Sequence, residues 1–136
     1  MIRKLTGAAI ALTAMTAVAS AHAETGDSLS IPLSSSTDIQ RQIVSYNCKA
    51  KKGASSARLR AVLPEKIVKV SYINAGDISL AVLPVDGKTQ IFTDVIAASG
   101  AKYAAAEYVW WSKGDDAMFS SEMDASAMLT CHEIKD

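Results

Sequence analysis

Histidine is almost absent from this chain of 136 residues: there are two, His22 and His132. Cysteine also occurs only twice, as Cys48 and Cys131, and not in a CxxC spacing. Each scarcity excludes chemistry. So few histidines and cysteines cannot supply the clustered ligands of a zinc site, and Asp115-Asp116 is only a pair of carboxylates in a turn, so no metal is expected. No glycine-rich phosphate cradle occurs, and no cofactor is expected. No Gly-x-Ser-x-Gly elbow presents a nucleophile. His132 stands beside Cys131, which is more useful in a disulfide than as an attacking thiolate. The chain is therefore not expected to be an enzyme. Charge of one sign is missing too. The formal net charge is zero, so there is no basic face of the kind nucleic acid requires.

Long apolar runs are equally lacking. The most apolar stretch, residues 5–18, is about 14 residues long, short of the roughly 20 that span a bilayer as a helix. It follows Arg3 and Lys4 and precedes Ala21-His22-Ala23, a small-x-small cleavage pattern. Residues 1–23 thus read as a cleaved secretory signal, with a retained anchor as the other reading of the same run. The residue after the expected cut is Glu24, not cysteine, so that position offers no thiol for a lipid. The mature chain is expected to be soluble. Without Arg3 and Lys4, twelve basic side chains face fourteen acidic ones, a net charge of −2. In a secreted chain the two cysteines suggest one disulfide. Closing a loop of roughly 84 residues, it would stabilise the fold by on the order of 4.5 kcal/mol in the chain-entropy model.

What is present is alternation. Residues 24–37 are serine-rich, without period, and read as a flexible leader. From Gln42 onward Val44, Tyr46 and Cys48 alternate with polar neighbours, a half-buried strand. Residues 51–56 read as a turn. Residues 58–63 place Leu59, Ala61 and Leu63 on one face, and residues 67–73 place Val68, Val70 and Tyr72 on another. Residues 78–85 are apolar on both faces. Asp86-Gly87 is a hairpin signal, followed by a strand over residues 89–97. Further strands are expected at about 105–112, 117–121 and 127–133. About eight short strands spaced roughly ten residues apart, with no long helical period, predict one all-β antiparallel domain over residues 38–136, a sandwich or small barrel. A transmembrane barrel fits poorly, because its strands need about 9 to 11 residues each, so no membrane insertion is expected.

Residues 99–117 concentrate both tryptophans and two of the four tyrosines. Ser99-Gly100 and Lys113-Gly114 bracket a strand on which Tyr108 and Trp110 face one way and Val109 and Trp111 the other. In an extended chain those two turns would lie far apart. They converge only if residues 101–106 form a loop folded back along the strand. From the residues alone, exposed aromatics such as Tyr103 and one of Trp110 or Trp111 could instead stack on peptidoglycan sugars, which makes a periplasmic carbohydrate-binding module the alternative reading. A purely structural envelope domain is a third.

Ser-Gly-x-x-Tyr (Ser99, Gly100, Tyr103) followed by Tyr-x-Trp-Trp-x-Lys-Gly-x-x-Ala (residues 108–117) resembles the MliC/PliC family of bacterial inhibitors of c-type lysozyme. Tyr-x-Cys at Tyr46 and Cys48, and Leu-x-Cys at Leu129 and Cys131, resemble that family's disulfide ends. The resemblance covers about 90 residues. It implies an eight-stranded antiparallel barrel closed by a Cys48–Cys131 disulfide. It also implies c-type lysozyme as the protein partner, with a loop entering the cleft and contacting the two catalytic carboxyl groups. The residues it nominates for binding are Ser99, Gly100, Tyr103, Lys113 and Gly114, with Ser99 and Lys113 reaching those carboxyls. Because Glu24 follows the signal, the resemblance is to the periplasmic form without a lipid anchor. A homodimer is left open. One departure is that Ala104-Ala105-Ala106 stands where many members carry an Asp-Gly.

Overall fold

The computed structural model describes residues 26–34 and 36–135. The expected signal, residues 1–23, lies outside them, as does Glu24. The chain divides into two units, Met1–Pro32 and Leu33–Asp136. Of the first, residues 26–32 are exposed and carry no regular structure. Among the described residues no helix is long and apolar enough to cross a membrane.

Eight strands build the second unit: β1 (Ile39–Ala50), β2 (Val68–Ala75), β3 (Ile78–Val85), β4 (Lys88–Val95), β5 (Ala101–Ala105), β6 (Tyr108–Lys113), β7 (Asp116–Ser121) and β8 (Asp124–Glu133). Each pairs antiparallel with its neighbour in sequence, and β8 returns to β1, closing the barrel. Cys48 and Cys131 lie opposite each other in that last pairing and are joined by a disulfide. The crosslink therefore sits where the sheet closes on itself. Among the described residues, closure leaves no unpaired sheet edge. The alternation of the sequence maps onto inside and outside: Val44, Tyr46, Val70, Ala81, Leu83, Phe92, Trp110, Phe119 and Leu129 fill the interior.

Two expectations are corrected. Residues 58–63 are not a strand: α1 spans Ala54–Ala61. The alternation of Leu59, Ala61 and Leu63 fits a period of two, but Ala61 is exposed while Ser56, Leu59 and Leu63 are buried, a spacing of three and four that belongs to a helix. Ala, Ser, Arg and Leu without a β-branched residue favour that outcome, and Pro64 prevents continuation. Arg60 staples the end of the helix. Its Nε donates to the Cys48 carbonyl at 2.9 Å and its Nη1 to the Leu63 carbonyl at 3.2 Å. Ser56 docks the helix on β8 by accepting from the Met128 amide at 3.2 Å.

The second correction concerns residues 101–106. They fold back along the following strand as expected, but as a paired strand and not as a loop. The β5–β6 hairpin turns at Ala106-Glu107, with Ala106 at φ 50°. The count of eight strands agrees with the expectation because α1 replaces one expected strand and β5 adds one.

Alternate hairpins place the β2–β3 turn, the β4–β5 loop, the β6–β7 turn and the start of β1 at one mouth of the barrel. The helix and the β3–β4, β5–β6 and β7–β8 turns lie at the other. At that far end Asp86 and Gly87 both have positive φ, 54° and 71°, the geometry of a two-residue type I′ hairpin.

Candidate functional site

The first mouth carries the residues singled out by the motifs. Ala101 pairs with Ser112 across the β5–β6 hairpin, so the residues just before β5 and at the end of β6 must adjoin. Gly100 makes that approach feasible. Its φ is +66°, and a Cβ built there would lie 2.3 Å from the Ser112 carbonyl oxygen and 2.8 Å from Lys113 Cγ. Only glycine fits both the backbone angle and the space. Gly114, at φ +57°, turns the chain into β7 on the other side of Lys113. Ser99, Gly100, Lys113 and Gly114 are all exposed and converge on one edge.

Tyr103 is not on that edge. It is 4 % exposed, inside the barrel, with its ring 5.9 Å from that of Tyr72 and its hydroxyl 3.3 Å from Ser79 Oγ. The floor beneath the mouth is a network of aromatic side chains. The Trp110 indole N–H donates to the Tyr72 hydroxyl at 2.8 Å, and the Tyr72 and Tyr46 hydroxyls lie 2.9 Å apart. Tyr46 packs edge-on against Trp110, with ring centroids 5.1 Å apart. Burial, ahead of any hydrogen bond, pushes both the Tyr46 and Tyr72 hydroxyls above the ordinary tyrosine range. A hollow of about 260 Å³ opens over this floor, lined by Tyr46, Tyr72, Tyr103, Ser112, Gly114 and Glu133 among others.

Trp111, which the motifs do not nominate for binding, proves central to the edge. Its indole N–H donates to the Ser99 carbonyl at 2.9 Å. The Lys113 ammonium lies 3.7 Å from the centre of its ring, and that of Lys102 lies 5.3 Å away. One side chain thus fixes the loop that bears Ser99 and the cation that stands beside it. Part of this was legible: Trp111 and Lys113 are two apart on a strand and must share a face. The Lys102 contact was not, because the pairing of Lys102 with Trp111 exists only once residues 101–105 form a strand.

Charge at the edge is unbalanced. Asp116 pairs with His132, Oδ1 to Nδ1 at 2.6 Å, and Asp115 pairs with Lys135, whose ammonium is held above its ordinary range by that carboxylate. Among the described residues, the Asp115–Lys135 ion pair and the Asp116–His132 contact are the pairings of acidic with basic side chains, and neither involves Lys113. The Lys113 ammonium is left facing solvent with an aromatic face beneath it.

Fold and edge together define a disulfide-closed, eight-stranded antiparallel barrel that presents a hydroxyl and an unpaired cation at one mouth. The family model described as membrane-bound lysozyme-inhibitor of c-type lysozyme, MliC, matches residues 64–128. A membrane-bound lysozyme inhibitor of C-type lysozyme from Pseudomonas aeruginosa is 61 % identical over 49 residues, 35 % of this chain and 39 % of its own length. The protein of the same name from Cupriavidus necator is 36 % identical over 70 residues, 48 % of this chain and 56 % of its own. The matches thus span less than two thirds of either relative. Among solved structures, P. aeruginosa MliC in complex with hen egg white lysozyme superposes with a TM-score of 0.59 at 34 % identity, covering 80 % of this chain and 96 % of that one. The chain belongs to the MliC family.

Proposed function

We propose that this protein inhibits c-type lysozyme by inserting the Ser99/Lys113 edge into the catalytic cleft. The observation that carries the reading is the convergence of an exposed hydroxyl and an unpaired ammonium, held together by Trp111. Lysozyme keeps one catalytic carboxyl protonated in an apolar pocket and the other ionised. A hydroxyl serves a carboxyl in either state because it both donates and accepts. An ammonium serves the ionised one, in the stronger, charge-assisted kind of hydrogen bond. Occupying the cleft excludes the sugar, and no covalent step is needed. Gly100 and Gly114 shape the edge, and Tyr103 supports it from inside. The relative crystallised with hen lysozyme supports the same partner for this chain.

The carbohydrate-binding alternative loses its platform. Of its three candidate aromatics, Trp110 and Tyr103 are buried, and Lys113 lies over the ring of Trp111. Location is part of the same proposal: with residues 1–23 read as a cleaved signal and Glu24 after the cut, the mature protein is proposed to be free in the periplasm. The curated relatives are named membrane-bound, so fractionation decides the point; release by osmotic shock supports the free form, and retention with membranes overturns it. An assembly of two copies is compatible with inhibition, since the recognition edge occupies one mouth.

The test of function is lysis of cell walls by c-type lysozyme with increasing mature protein. Dose-dependent protection is expected. Ser99→Ala should weaken it about tenfold, the loss of roughly one hydrogen bond to a charged group, while leaving the fold intact. Binding to peptidoglycan with no change in lysis rate would favour the carbohydrate module instead.

A further inference from the structure

Lys113 and Asp116 stand directly across from each other on β6 and β7, on either side of the turn at Gly114-Asp115. Opposite charges facing across an antiparallel pair ordinarily attract. Here they do not meet. The Lys113 ammonium lies 3.7 Å from the centre of the Trp111 ring. The Asp116 carboxylate reaches the other way, to His132, its register partner on β8. Both side chains border the same open hollow of about 260 Å³, with Trp111, Met118 and Thr130, so packing does not keep them apart.

The other carboxylate of this hairpin is drawn in the same direction. Asp115, in the turn, accepts from the ammonium of Lys135, just beyond β8. A carboxylate only accepts, so the His132 Nδ1 carries the proton and donates to Asp116. The charges nearby do not replace these contacts. Lys102 on β5 shares the Trp111 ring with Lys113 and has the same sign. From β1, Asn47 lies opposite His132, and Lys49 lies opposite Thr130. Glu133 follows His132 on β8 and takes the other face, where it lines the hollow over the aromatic floor. Lys113 thus has two carboxylates in its own hairpin, and both are held off it from the β8 side.

We infer that His132 and Lys135 are positioning residues for recognition. By holding Asp116 and Asp115 away, they leave the Lys113 ammonium on the Trp111 ring and available to an acidic group of the partner. The inference rests on the proposed role of Lys113 in binding lysozyme. A Lys113 paired within its own hairpin must first break that pair, and affinity falls with the fraction left competent to bind. For an exposed cross-strand pair the loss is about two- to fivefold.

The test begins with the free mature protein. Protons above an indole face resonate upfield, so the ε-methylene of Lys113, identified by its loss in Lys113→Ala, is expected upfield of other lysines in the NMR spectrum. In His132→Phe with Lys135→Ala it should move back toward the ordinary lysine position. Adding Asp115→Asn and Asp116→Asn should return it upfield, a recovery that misfolding cannot produce. Inhibition of lysozyme should follow the same order: about two- to fivefold weaker in the double variant, recovered in the quadruple one. An ε-methylene that does not respond to loss of His132 and Lys135 overturns the inference, whatever the inhibition. A shift that responds as expected in a parent protein that fails to inhibit lysozyme overturns instead the role proposed for Lys113.

Discussion

Trp111 joins the two halves of the proposed recognition edge, and its two contacts can be separated. Trp111→Phe removes the N–H that donates to the Ser99 carbonyl but keeps an aromatic face under Lys113. If the hydrogen bond holds the loop, inhibition should weaken about three- to tenfold, the value of one neutral hydrogen bond of roughly 0.5–1.5 kcal/mol. Isothermal titration with lysozyme would show it, and an unchanged dissociation constant would make the bond incidental. A second residue-scale consequence comes from the buried phenols. Tyr46 and Tyr72 are kept protonated in the fold by burial, so their folded pKa values lie above the unfolded value near 10. Their contribution is fully present below that pH and declines as pH rises beyond it, because only the unfolded chain releases the proton. Each such group steepens the fall by up to about 1.4 kcal/mol per pH unit. Urea midpoints measured between pH 8 and 11 should drop above about pH 10, and less steeply in Tyr46→Phe; equal slopes would contradict the assignment. At this scale the meeting of Ser99-Gly100 with Lys113-Gly114 on one edge was legible through an ordered pair of motifs. Tyr103 was legible as a motif member but not as a buried one. A tyrosine within five residues of an exposed turn gives no sign of which face it takes until its strand is known.

Among the elements, β5 and α1 show why periodicity alone misleads. Three consecutive alanines carry no alternation, so nothing in the sequence marks Ala101–Ala105 as a strand. It forms because β4 and β6 offer their free edges on either side. In α1 the reverse holds: two leucines four apart also fit an even spacing, and only burial distinguishes the two periods. The hairpin between β5 and β6 stores the cost of the missing glycine. Ala106 sits at φ 50°, a left-handed conformation that disfavours a Cβ by about 1–2 kcal/mol. Ala106→Gly relieves that strain but adds unfolded-state entropy, for a net gain of about 0.5–1 kcal/mol. A rise in Tm of roughly 2–6 °C is expected for a domain of this size, with inhibition unchanged, since the turn lies at the mouth opposite Ser99 and Lys113. A lower Tm would show that the methyl group has a packing role that outweighs the strain. The Asp86-Gly87 hairpin, by contrast, was legible because its residues are those the turn requires.

For the whole molecule, the class was readable from a few features: short alternating segments fenced by turn residues specify an antiparallel sheet. Those features fit a sandwich as well as a barrel, and closure was expected only through the family resemblance; cysteines in the first and last strands are consistent with it. Closure then brings the turns of alternate hairpins to one mouth, and this placement turns two sequence-distant pairs, Ser99-Gly100 and Lys113-Gly114, into a single edge above a rigid aromatic floor. Competitive occlusion of the lysozyme cleft is tested most directly by initial-rate kinetics of c-type lysozyme on a soluble oligosaccharide, with the mature protein and with Lys113→Ala. A purely competitive pattern is expected, with apparent KM rising and kcat constant. The inhibition constant should be weakened in the variant by an amount equivalent to about 2–5 kcal/mol, as for a desolvated charge contact. A fall in kcat at constant KM, or a Lys113→Ala protein that inhibits as well as the parent, would contradict it.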